Sequence, residues 1–366
     1  MHSRVLVIAS TLKPVDDVRS YKKIAHSIAK RTNYVVKCIG NQSILSDAAT
    51  SNIEFLPIQI KGRRSLKRLL LPFLIFLRLI KIKPSLLIIT VPALIPVAVL
   101  LRSLVGTRLI YDVQENYFKN AMLLSPAFWK RPWAHYLNFL QRKSRRYFDQ
   151  VWIAEKCYKD ELGYLKPAVI LENKAKEVRI ERKDNCQKKL LFTGTVSRYS
   201  GIEEALTIFS SLQKRDPSIQ FSILGQVHDR KIHKTLEMFA ANNKNLSLNV
   251  DKRPVAHDMI IEAILSHDLG IISYQPNEVN ALKMPTKLYE YSRYGLPFLI
   301  QKNTMWEEKG RQLGHCISIN YSNPDLTTIL NALEKDTFHK RKKYPFEETW
   351  EFEEEKLYAS IKNFDL

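Results

Sequence analysis

The sequence predicts an α/β protein built from two doubly wound domains, each a parallel sheet covered by helices on both faces. Its 366 residues exceed what one hydrophobic core usually serves. Short apolar runs alternate with amphipathic helical patterns, as in parallel sheets with helical crossovers. The alternation stops once, at the polar stretch 173–187, and then begins again. We therefore expect domains at 1–172 and 188–345, a linker at 173–187 and a C-terminal helix at 346–366.

Five apolar runs of strand length in the first half predict buried parallel strands. They lie at 4–9, 34–40, 85–90, 107–113 and 150–154. Helical patterns lie between and after them, near 18–31, 65–82, 93–105, 131–148 and 155–163. This order is the one that a parallel sheet needs, because its neighbouring strands are joined by crossover connections.

Six further runs in the second half repeat the pattern. They lie at 188–194, 219–225, 246–250, 269–274, 297–300 and 315–320. In open α/β sheets, ligands bind beyond the carboxyl ends of the strands. We therefore expect the two domains to face each other across a cleft, with an active site assembled from both halves.

The basic residues are concentrated in the first half of the chain. Of the formal net charge of +20, residues 1–170 contribute 28 Lys and Arg against 10 Asp and Glu, and residues 171–366 contribute 29 against 27. This asymmetry predicts a polyanionic partner for the N-terminal domain: nucleic acid, an anionic membrane surface or a phosphorylated substrate. No zinc-finger, helix-turn-helix or aromatic RNA-binding signature accompanies the charge, so we do not expect a nucleic acid.

Two segments that are both apolar and basic favour a membrane surface. Residues 63–83 place nine apolar residues between Arg68 and Arg78. That is far short of the roughly 20 residues that span a bilayer, but it suits a helix lying at the surface. Residues 128–136 carry two tryptophans and two cations, a composition favoured at lipid interfaces. The alternatives are a well-buried helix with basic ends and a packed aromatic corner.

The cysteines and the first residues predict a reducing compartment. Four cysteines are scattered singly, with no zinc-ligand spacing: Cys38, Cys157, Cys186 and Cys316. We expect reduced, mostly buried thiols. The apolar run near the start lacks the longer core and cleavage site of a signal peptide, so we expect a cytoplasmic location.

The loop at 192–205 is a candidate anion site. The sequence contains neither G-x-G-x-x-G nor G-x-x-x-x-G-K-[ST], so it has no dinucleotide fingerprint and no P-loop. The loop instead has Gly194 at a strand end, then Arg198, and Gly201 before a helix. Glycine permits close backbone approach, and a helix N-terminus beside an arginine suits an anion. An ordinary strand-to-helix turn with acidic first-turn residues is the alternative.

The stretch MPTKLYEYSRYGLPFLI at 284–300 contains the most informative charges. Pro285 suits a helix start, so Lys287 and Glu290 lie about one turn apart near its N-terminus. There an ammonium and amide dipoles can meet a diphosphate, while a carboxylate accepts two ribose hydroxyls. The alternative is a surface ion pair at i, i+3 spacing, worth a few tenths of a kcal/mol.

Four segments, in the right order, resemble the GT-B glycosyltransferases often grouped as family 4. Residues 266–300 resemble the family's sugar-nucleotide-binding signature, and LLFTGTVSRYSGIEEAL at 190–206 resembles the opening of its C-terminal domain. Residues 10–29 (STLKPVDDVRSYKKIAHSIA) and 109–117 (LIYDVQENY) resemble N-terminal segments of its bacterial cell-surface polysaccharide and lipopolysaccharide branch. The resemblance covers most of the chain and implies the GT-B architecture, in which two Rossmann-like domains face a cleft.

The resemblance implies a role for each matching residue. Glu290 would bind the ribose of the nucleotide, while Pro285 and Tyr274 would line its pocket. The diphosphate would meet Gly194, Thr195, Arg198 and Lys287. The N-terminal domain would face the transferring sugar or the acceptor with Asp17, Arg19, Asp112 and Glu115. Glu115 is our candidate for the acceptor base, and a buried structural carboxylate at a strand end is the alternative. The C-terminal helix would cross back to the first domain.

The chain departs from the common family pattern at the catalytic carboxylate and at a histidine. Many members have two glutamates separated by seven residues, but Leu282 stands eight positions before Glu290, and Glu278 is out of register. Gln114 stands where relatives commonly have a histidine.

The glycine loop departs as well. Thr195 and Ser200 stand where many members have an arginine and a lysine. We hypothesise that Arg198, Lys283 and Lys287 together supply the missing positive charge.

The expected function is a glycosyltransferase that moves a sugar from a UDP- or GDP-linked donor to a saccharide acceptor. The acceptor is expected to be lipid-linked, as on polyprenyl diphosphate, at the inner face of the cell membrane. We expect no metal or other cofactor, because the only paired aspartates, at 16–17, are adjacent and not spaced as D-x-D; retention of configuration is implied by the family. Two alternatives stay open: a nucleotide-sugar 2-epimerase of similar fold, and a non-catalytic basic adaptor at the membrane surface.

Overall fold

The structure, a computed structural model, describes residues 4–42, 52–59, 67–123, 130–176, 187–334 and 344–364. The chain divides into two compact units. Unit 1 contains Met1–Asn173 and Trp350–Leu366, and unit 2 contains Lys174–Thr349. Most of the linker predicted at 173–187, together with Cys186, lies outside the described residues, and so does Trp129.

Unit 1 is built on a sheet of seven parallel strands. The strands are β1 (Val5–Pro14), β2 (Val35–Asn41), β3 (Ile53–Ile58), β4 (Leu86–Ile89), β5 (Arg108–Val113), β6 (Gln150–Ile153) and β7 (Val169–Ile170). Their order across the sheet is β3-β2-β1-β4-β5-β6-β7. The chain therefore winds outward in both directions from the β1–β4 pair, as the doubly wound prediction requires.

Helices cover both faces of this sheet. They are α1 (His26–Arg31), which continues a π-helical segment (Val18–Ala25), α2 (Lys67–Ile82), α3 (Ile95–Val105), α4 (Tyr117–Leu123), α5 (Lys130–Ser144) and α6 (Tyr158–Glu161). The last helix of the chain, which we number α13 (Trp350–Ile361), belongs to the same unit. None of the helices in the described parts of the chain combines the length and apolarity needed to cross a bilayer.

Alternate residues of each strand serve two separate cores. Val7 and Ala9 pack under α2 and α3, whereas Leu6 and Ile8 pack under α1 and α13. Since both faces are covered, the central strands are continuously apolar instead of alternating with polar residues. The sheet is consequently buried on both sides.

The C-terminal helix α13 is anchored in unit 1 by buried polar contacts. Trp350 Nε1 donates to Ser27 Oγ at 3.0 Å, and Ser27 Oγ donates to Glu354 Oε1 at 2.5 Å. Glu353 is fully buried, and its carboxylate accepts from the Glu172 amide at 3.1 Å. Acidic side chains of the last helix thus bind donors of the basic unit.

Unit 2 repeats the architecture with six parallel strands. The strands are β8 (Lys189–Val196), β9 (Gln220–Val227), β10 (Leu246–Asp251), β11 (Leu269–Ile272), β12 (Phe298–Gln301) and β13 (Cys316–Ile319), in the order β10-β9-β8-β11-β12-β13. The helices are α7 (Ile202–Arg215), α8 (Arg230–Ala241), α9 (His257–Ser266), α10 (Thr286–Arg293), α11 (Thr304–Leu313) and α12 (Leu326–Glu334).

The two sheets confirm the predicted α/β class and its doubly wound order. The sequence analysis did not identify β3, β7 and α4 of unit 1, and in unit 2 it gave no positions for α8, α9, α11 and α12. β3 contains Pro57 and exposes Glu54 at the sheet edge, where both residues are tolerated. β7 has only two residues, too few for any periodicity to show. The described cysteines Cys38, Cys157 and Cys316 form no disulfide.

Candidate functional site

The start of α10 and the end of β8 bring together three of the predicted residues. Lys287 Nζ lies 2.6 Å from Glu290 Oε2. Gly194 has a left-handed φ of 105°, and a Cβ built on it would lie 3.1 Å from Lys287 Cε. The lysine stem therefore runs directly over a backbone position that has no side chain, at the carboxyl edge of the sheet.

Glu290 is buried as an ion. Only 7% of the residue is exposed, and Oε1 lies 3.4 Å from His257 Nε2 while Oε2 meets Lys287. Burial alone would raise the pKa of this carboxyl, but the charges and hydrogen bonds of Lys287 and His257 outweigh burial and hold the pKa well below its usual range. The carboxylate consequently stays ionised at neutral pH, with its oxygens aimed at donors.

The sequence analysis did not single out His257. It is the first residue of α9, and 33 positions separate it from Glu290. A polar residue at the start of a helix that follows a strand was the only available signal, and such residues are common in α/β loops. Only the fold shows that this one faces the carboxylate.

Two tyrosines lie beside this carboxylate. Burial raises the pKa of Tyr274, and the negative charge of Glu290 adds to the rise. Tyr291 is fully buried, and its hydroxyl lies 3.0 Å from Thr193 Oγ1. That contact fixes α10 against β8 and so holds the Lys287–Glu290 turn beside Gly194.

Two further glycines shape the loop after β8. A Cβ on Gly201 would lie 1.9 Å from the Ser273 carbonyl oxygen, and a Cβ on Gly225 would lie 1.8 Å from that of Gly194. Neither position can accept a side chain without moving backbone. Ser273 Oγ donates to the carbonyl oxygens of Gly201 at 2.7 Å and Ser200 at 3.2 Å, which ties the loop to the end of β11.

The remaining predicted residues of unit 2 are less closely associated with Glu290. Arg198 is exposed, and its Nε lies 3.2 Å from Glu203 Oε1. Thr195 is exposed next to Gly194, and Pro285 is buried just before α10. The Lys283 carbonyl accepts from Trp306 Nε1 at 2.7 Å, which fixes the chain that leads into α10.

Arg19 and Asp112 of unit 1 form a buried ion pair with two hydrogen bonds. Arg19 Nε donates to Asp112 Oδ2 at 3.0 Å and Nη2 donates to Oδ1 at 2.7 Å. Gln114 donates to Oδ2 at 2.9 Å, and Arg19 Nη1 donates to the Leu171 carbonyl at 2.9 Å. Asp112 is fully buried and Arg19 is 4% exposed. The pair joins β5 to the π-helical segment after β1 and leaves few of its atoms for a ligand.

Asp17 and Glu115 have different surroundings. Asp17 caps the π-helical segment, where its Oδ2 accepts from the Ser20 amide at 3.0 Å. Glu115, just beyond β5, is half-buried, and its Oε2 accepts from Asn120 Nδ2 at 3.1 Å. Within the described residues, no three histidine, cysteine, aspartate or glutamate side chains group as metal ligands.

Neither a protein-family model nor a curated protein sequence matches the chain, but solved structures do. Sucrose-phosphate synthase from Thermosynechococcus elongatus superposes with a TM-score of 0.68 at 9% identity, covering 100% of this chain and 96% of that one. The catalytic domain of starch synthase IV from Arabidopsis thaliana, bound to ADP and acarbose, has a TM-score of 0.67 at 11% identity and covers 99% of each chain.

A third structure belongs to a different reaction class. It is described as a UDP-N-acetylglucosamine 2-epimerase from Listeria monocytogenes, with a TM-score of 0.58 at 12% identity over 99% of this chain and 96% of that one. At such low identities the likeness establishes the fold alone. The chain has the GT-B fold, which confirms the architecture predicted from its sequence.

Proposed function

We propose that this protein is a glycosyltransferase that takes a sugar from a nucleotide-sugar donor bound to unit 2. The observation that carries the proposal is the arrangement of Glu290, Lys287 and Gly194. The Glu290 carboxylate, the Lys287 ammonium and the Gly194 backbone, which has no side chain, lie together at the carboxyl edge of a doubly wound sheet. Such folds bind their ligands at this edge.

Each part of this arrangement suits one part of a sugar nucleotide. The Glu290 carboxylate accepts hydroxyl hydrogen bonds from the ribose. The diphosphate lies against Lys287, the Gly194 backbone and the first amides of α10, whose dipole favours an anion. When the glycosidic bond to the donor breaks, negative charge develops on the departing diphosphate, and placed cations and amides stabilise it.

The solved structures support a transferase over the alternatives that the sequence left open. Two of the three reported above carry the names of sugar-transferring synthases, and one of these is described as bound to ADP. The epimerase likeness keeps isomerisation as the second candidate. Release of an isomerised sugar nucleotide without any acceptor would identify that activity.

The finer parts of the proposal follow the family 4 resemblance. The donor carries UDP or GDP, and the acceptor is a saccharide on a lipid such as polyprenyl diphosphate in cell-surface polysaccharide synthesis. The reaction retains the anomeric configuration without a metal, and Glu115 of unit 1 is the acceptor base. The enzyme works on the cytoplasmic face of the cell membrane.

Thermal shifts with UDP, GDP, ADP and CMP test the donor site. A ligand at about 100 times its dissociation constant stabilises the native state by about 2.7 kcal/mol, which moves the melting temperature by several degrees. We expect one nucleotide to stabilise the wild type and to lose this effect in Glu290→Gln. Lys309→Met is a matched control, because it removes a half-buried lysine of unit 2 that pairs with Glu348 at 2.9 Å.

The panel also separates the proposal from the adaptor alternative. Loss of the nucleotide effect in Glu290→Gln, with the effect retained in Lys309→Met, supports the donor site. Equal shifts in both variants would place the nucleotide elsewhere. No shift with any of the four nucleotides would leave the GT-B fold intact but favour a non-catalytic adaptor.

A further inference from the structure

Exposed apolar side chains are concentrated on one face of unit 1. Seventeen large hydrophobic residues are exposed in the described parts of the chain, and eleven of them lie on α2, α3, α4 and α5. They are Leu69, Leu70, Phe73, Leu74 and Leu77 on α2, Leu100 and Leu104 on α3, Leu123 on α4, and Trp133, Tyr136 and Phe139 on α5. We call these eleven residues the apolar face. Scattered surface hydrophobics are ordinary, but a concentration on adjoining helices marks an interaction surface.

The helix α2 shows why these residues are exposed. Leu71, Ile75 and Leu79, spaced by four, pack into the core under the sheet. The opposite side of the same helix carries Leu69 at 78% exposure and Phe73 at 57%. A helix that is apolar all round is normally buried all round. Here unit 1 covers only one side of it.

The neighbouring helices extend the same surface. α2 packs on α3, α3 packs on α5, and α4 packs on α5. Gln141 Nε2 donates to the buried Tyr111 hydroxyl at 2.8 Å and so fixes the rotation of α5 on the sheet. That rotation directs Trp133 and Tyr136 outward, with ring centroids 5.3 Å apart. The result is an aromatic edge beside an aliphatic centre.

Charge determines which partner fits this surface. The sequences of α2, α3, α4 and α5 contain no aspartate or glutamate. Exposed cations lie on or next to these helices, at Lys81, Lys83, Lys130, Arg131, Arg142 and Lys143. A second copy of the same face would bring like charges together. An apolar surface with tryptophan, tyrosine and cations, and without acids, has the composition that binds anionic lipid.

We propose that the apolar face docks unit 1 onto an anionic lipid bilayer, with the leucine and phenylalanine side chains of α2 below the headgroups. Trp133 and Tyr136 then lie at headgroup level, and the surrounding lysines and arginines contact lipid phosphates. This inference deepens the membrane part of the proposed function by naming the docking surface, and it holds whether or not the transferase chemistry is correct.

Vesicle co-sedimentation of the full chain tests the surface. Leu69→Ser/Phe73→Ser removes two exposed residues of α2, and Trp133→Ser/Phe139→Ser removes two of α5. Met238→Ser/Phe346→Ser is the control, because those side chains are exposed to a similar degree, 59% and 57%, but belong to unit 2. Vesicles of phosphatidylcholine, with and without phosphatidylglycerol, supply neutral and anionic surfaces.

We expect the wild type and the unit 2 control to bind anionic vesicles, and both unit 1 variants to bind roughly tenfold more weakly or worse. Raised salt and purely neutral vesicles should also weaken binding. Wild-type vesicle binding by both unit 1 variants, or no binding by the wild type, would overturn the proposal. So would a dimer in light scattering that either unit 1 variant dissociates, since the face would then bind a second copy.

The same variants separate this inference from the proposed function. Their substitutions lie at exposed positions of unit 1, so nucleotide-dependent thermal shifts in unit 2 should be unchanged and would also show that the variants are folded. Weakened vesicle binding with normal nucleotide shifts supports the surface alone. Normal vesicle binding by a protein that shows no thermal shift with any nucleotide would instead contradict the proposed transferase function.

Discussion

The two units have the same sheet order around their central strands but use buried charge in opposite ways. In unit 1, the Arg19–Asp112 side chains are 5% and 0% exposed, and neighbouring groups occupy most of their hydrogen-bonding atoms. In unit 2, Lys287 and Glu290 form a less buried pair, with side-chain exposures of 14% and 9%, beside a glycine. The shared fold determines where a ligand can bind. The local side chains determine whether the hydrogen-bonding atoms at that position are already occupied, which we call closed, or are left for a ligand, which we call open.

Their outer surfaces differ as sharply. Unit 1 carries most of the net positive charge and the apolar face, whereas the exposed hydrophobics of unit 2 are scattered over separate elements. A doubly wound unit needs helices on both faces of its sheet, but it does not need apolar residues on the outside of those helices. The fold therefore does not require the apolar face of unit 1, and we assign it to interaction with a partner.

Removal of one partner of the closed pair should have the largest effect. Arg19→Met leaves Asp112 buried without its cation, which typically costs about 3–5 kcal/mol. We expect a loss of unit 1 stability of that size, measured by hydrogen exchange of β1 and β5 amides against those of β8.

Arg31→Met is the matched control for Arg19→Met. Arg31 pairs with Glu355 at the surface, where both side chains are about half exposed. Because water and salt screen such a pair, its loss should change stability little. An Arg19→Met protein as stable as this control, yet unable to transfer sugar, would show that the pair acts on substrate and that the contrast between the units is wrong.

Glu115, which is half-buried just beyond β5, is the residue of unit 1 that we propose as acceptor base. General base catalysis typically contributes a factor of about 100 to 10,000, so Glu115→Gln should lower kcat by that order while leaving nucleotide shifts unchanged. Asp160→Asn, at an exposed position on α6, is the control. Undiminished turnover in Glu115→Gln would remove this assignment.

The sequence predicted the local contacts of the site but not the distant ones. Lys287 and Glu290 lie three residues apart on one helix, so helical periodicity alone places them together. Arg19 is 93 positions from Asp112, and no pattern in the sequence shows that they meet. Both were predicted separately at the substrate, and only the structure shows that they also pair with each other inside unit 1.

The apolar face shows the same limit. The sequence marked 63–83 and 128–136 as candidate membrane segments, but it could not separate outward from inward side chains, because apolar residues lie on all sides of the middle of α2. Exposure depends on which side meets the sheet, and that depends on α3 and α5. The central strands, by contrast, were predictable because both of their faces are buried, which produces uninterrupted apolar runs.

The smallest expected effects concern the three cations predicted to replace the missing loop charges. Lys287 lies beside Gly194, so Lys287→Met should weaken nucleotide binding by roughly tenfold or more, the value of a hydrogen bond to a charged group. Arg198 is exposed and already paired with Glu203, so Arg198→Met should change affinity only about twofold to threefold. Lys283→Met should fall between them.

Isothermal titration with the nucleotide identified by thermal shift measures all three variants and their combination. Graded losses in the order Lys287, Lys283, Arg198 would mean that unit 2 binds the diphosphate mainly at its buried edge. Equal losses would mean that Arg198 leaves Glu203 when the ligand binds, because only then does an exposed arginine contribute as much as a buried lysine. Wild-type affinity in the triple variant would contradict the hypothesis that these cations hold the diphosphate.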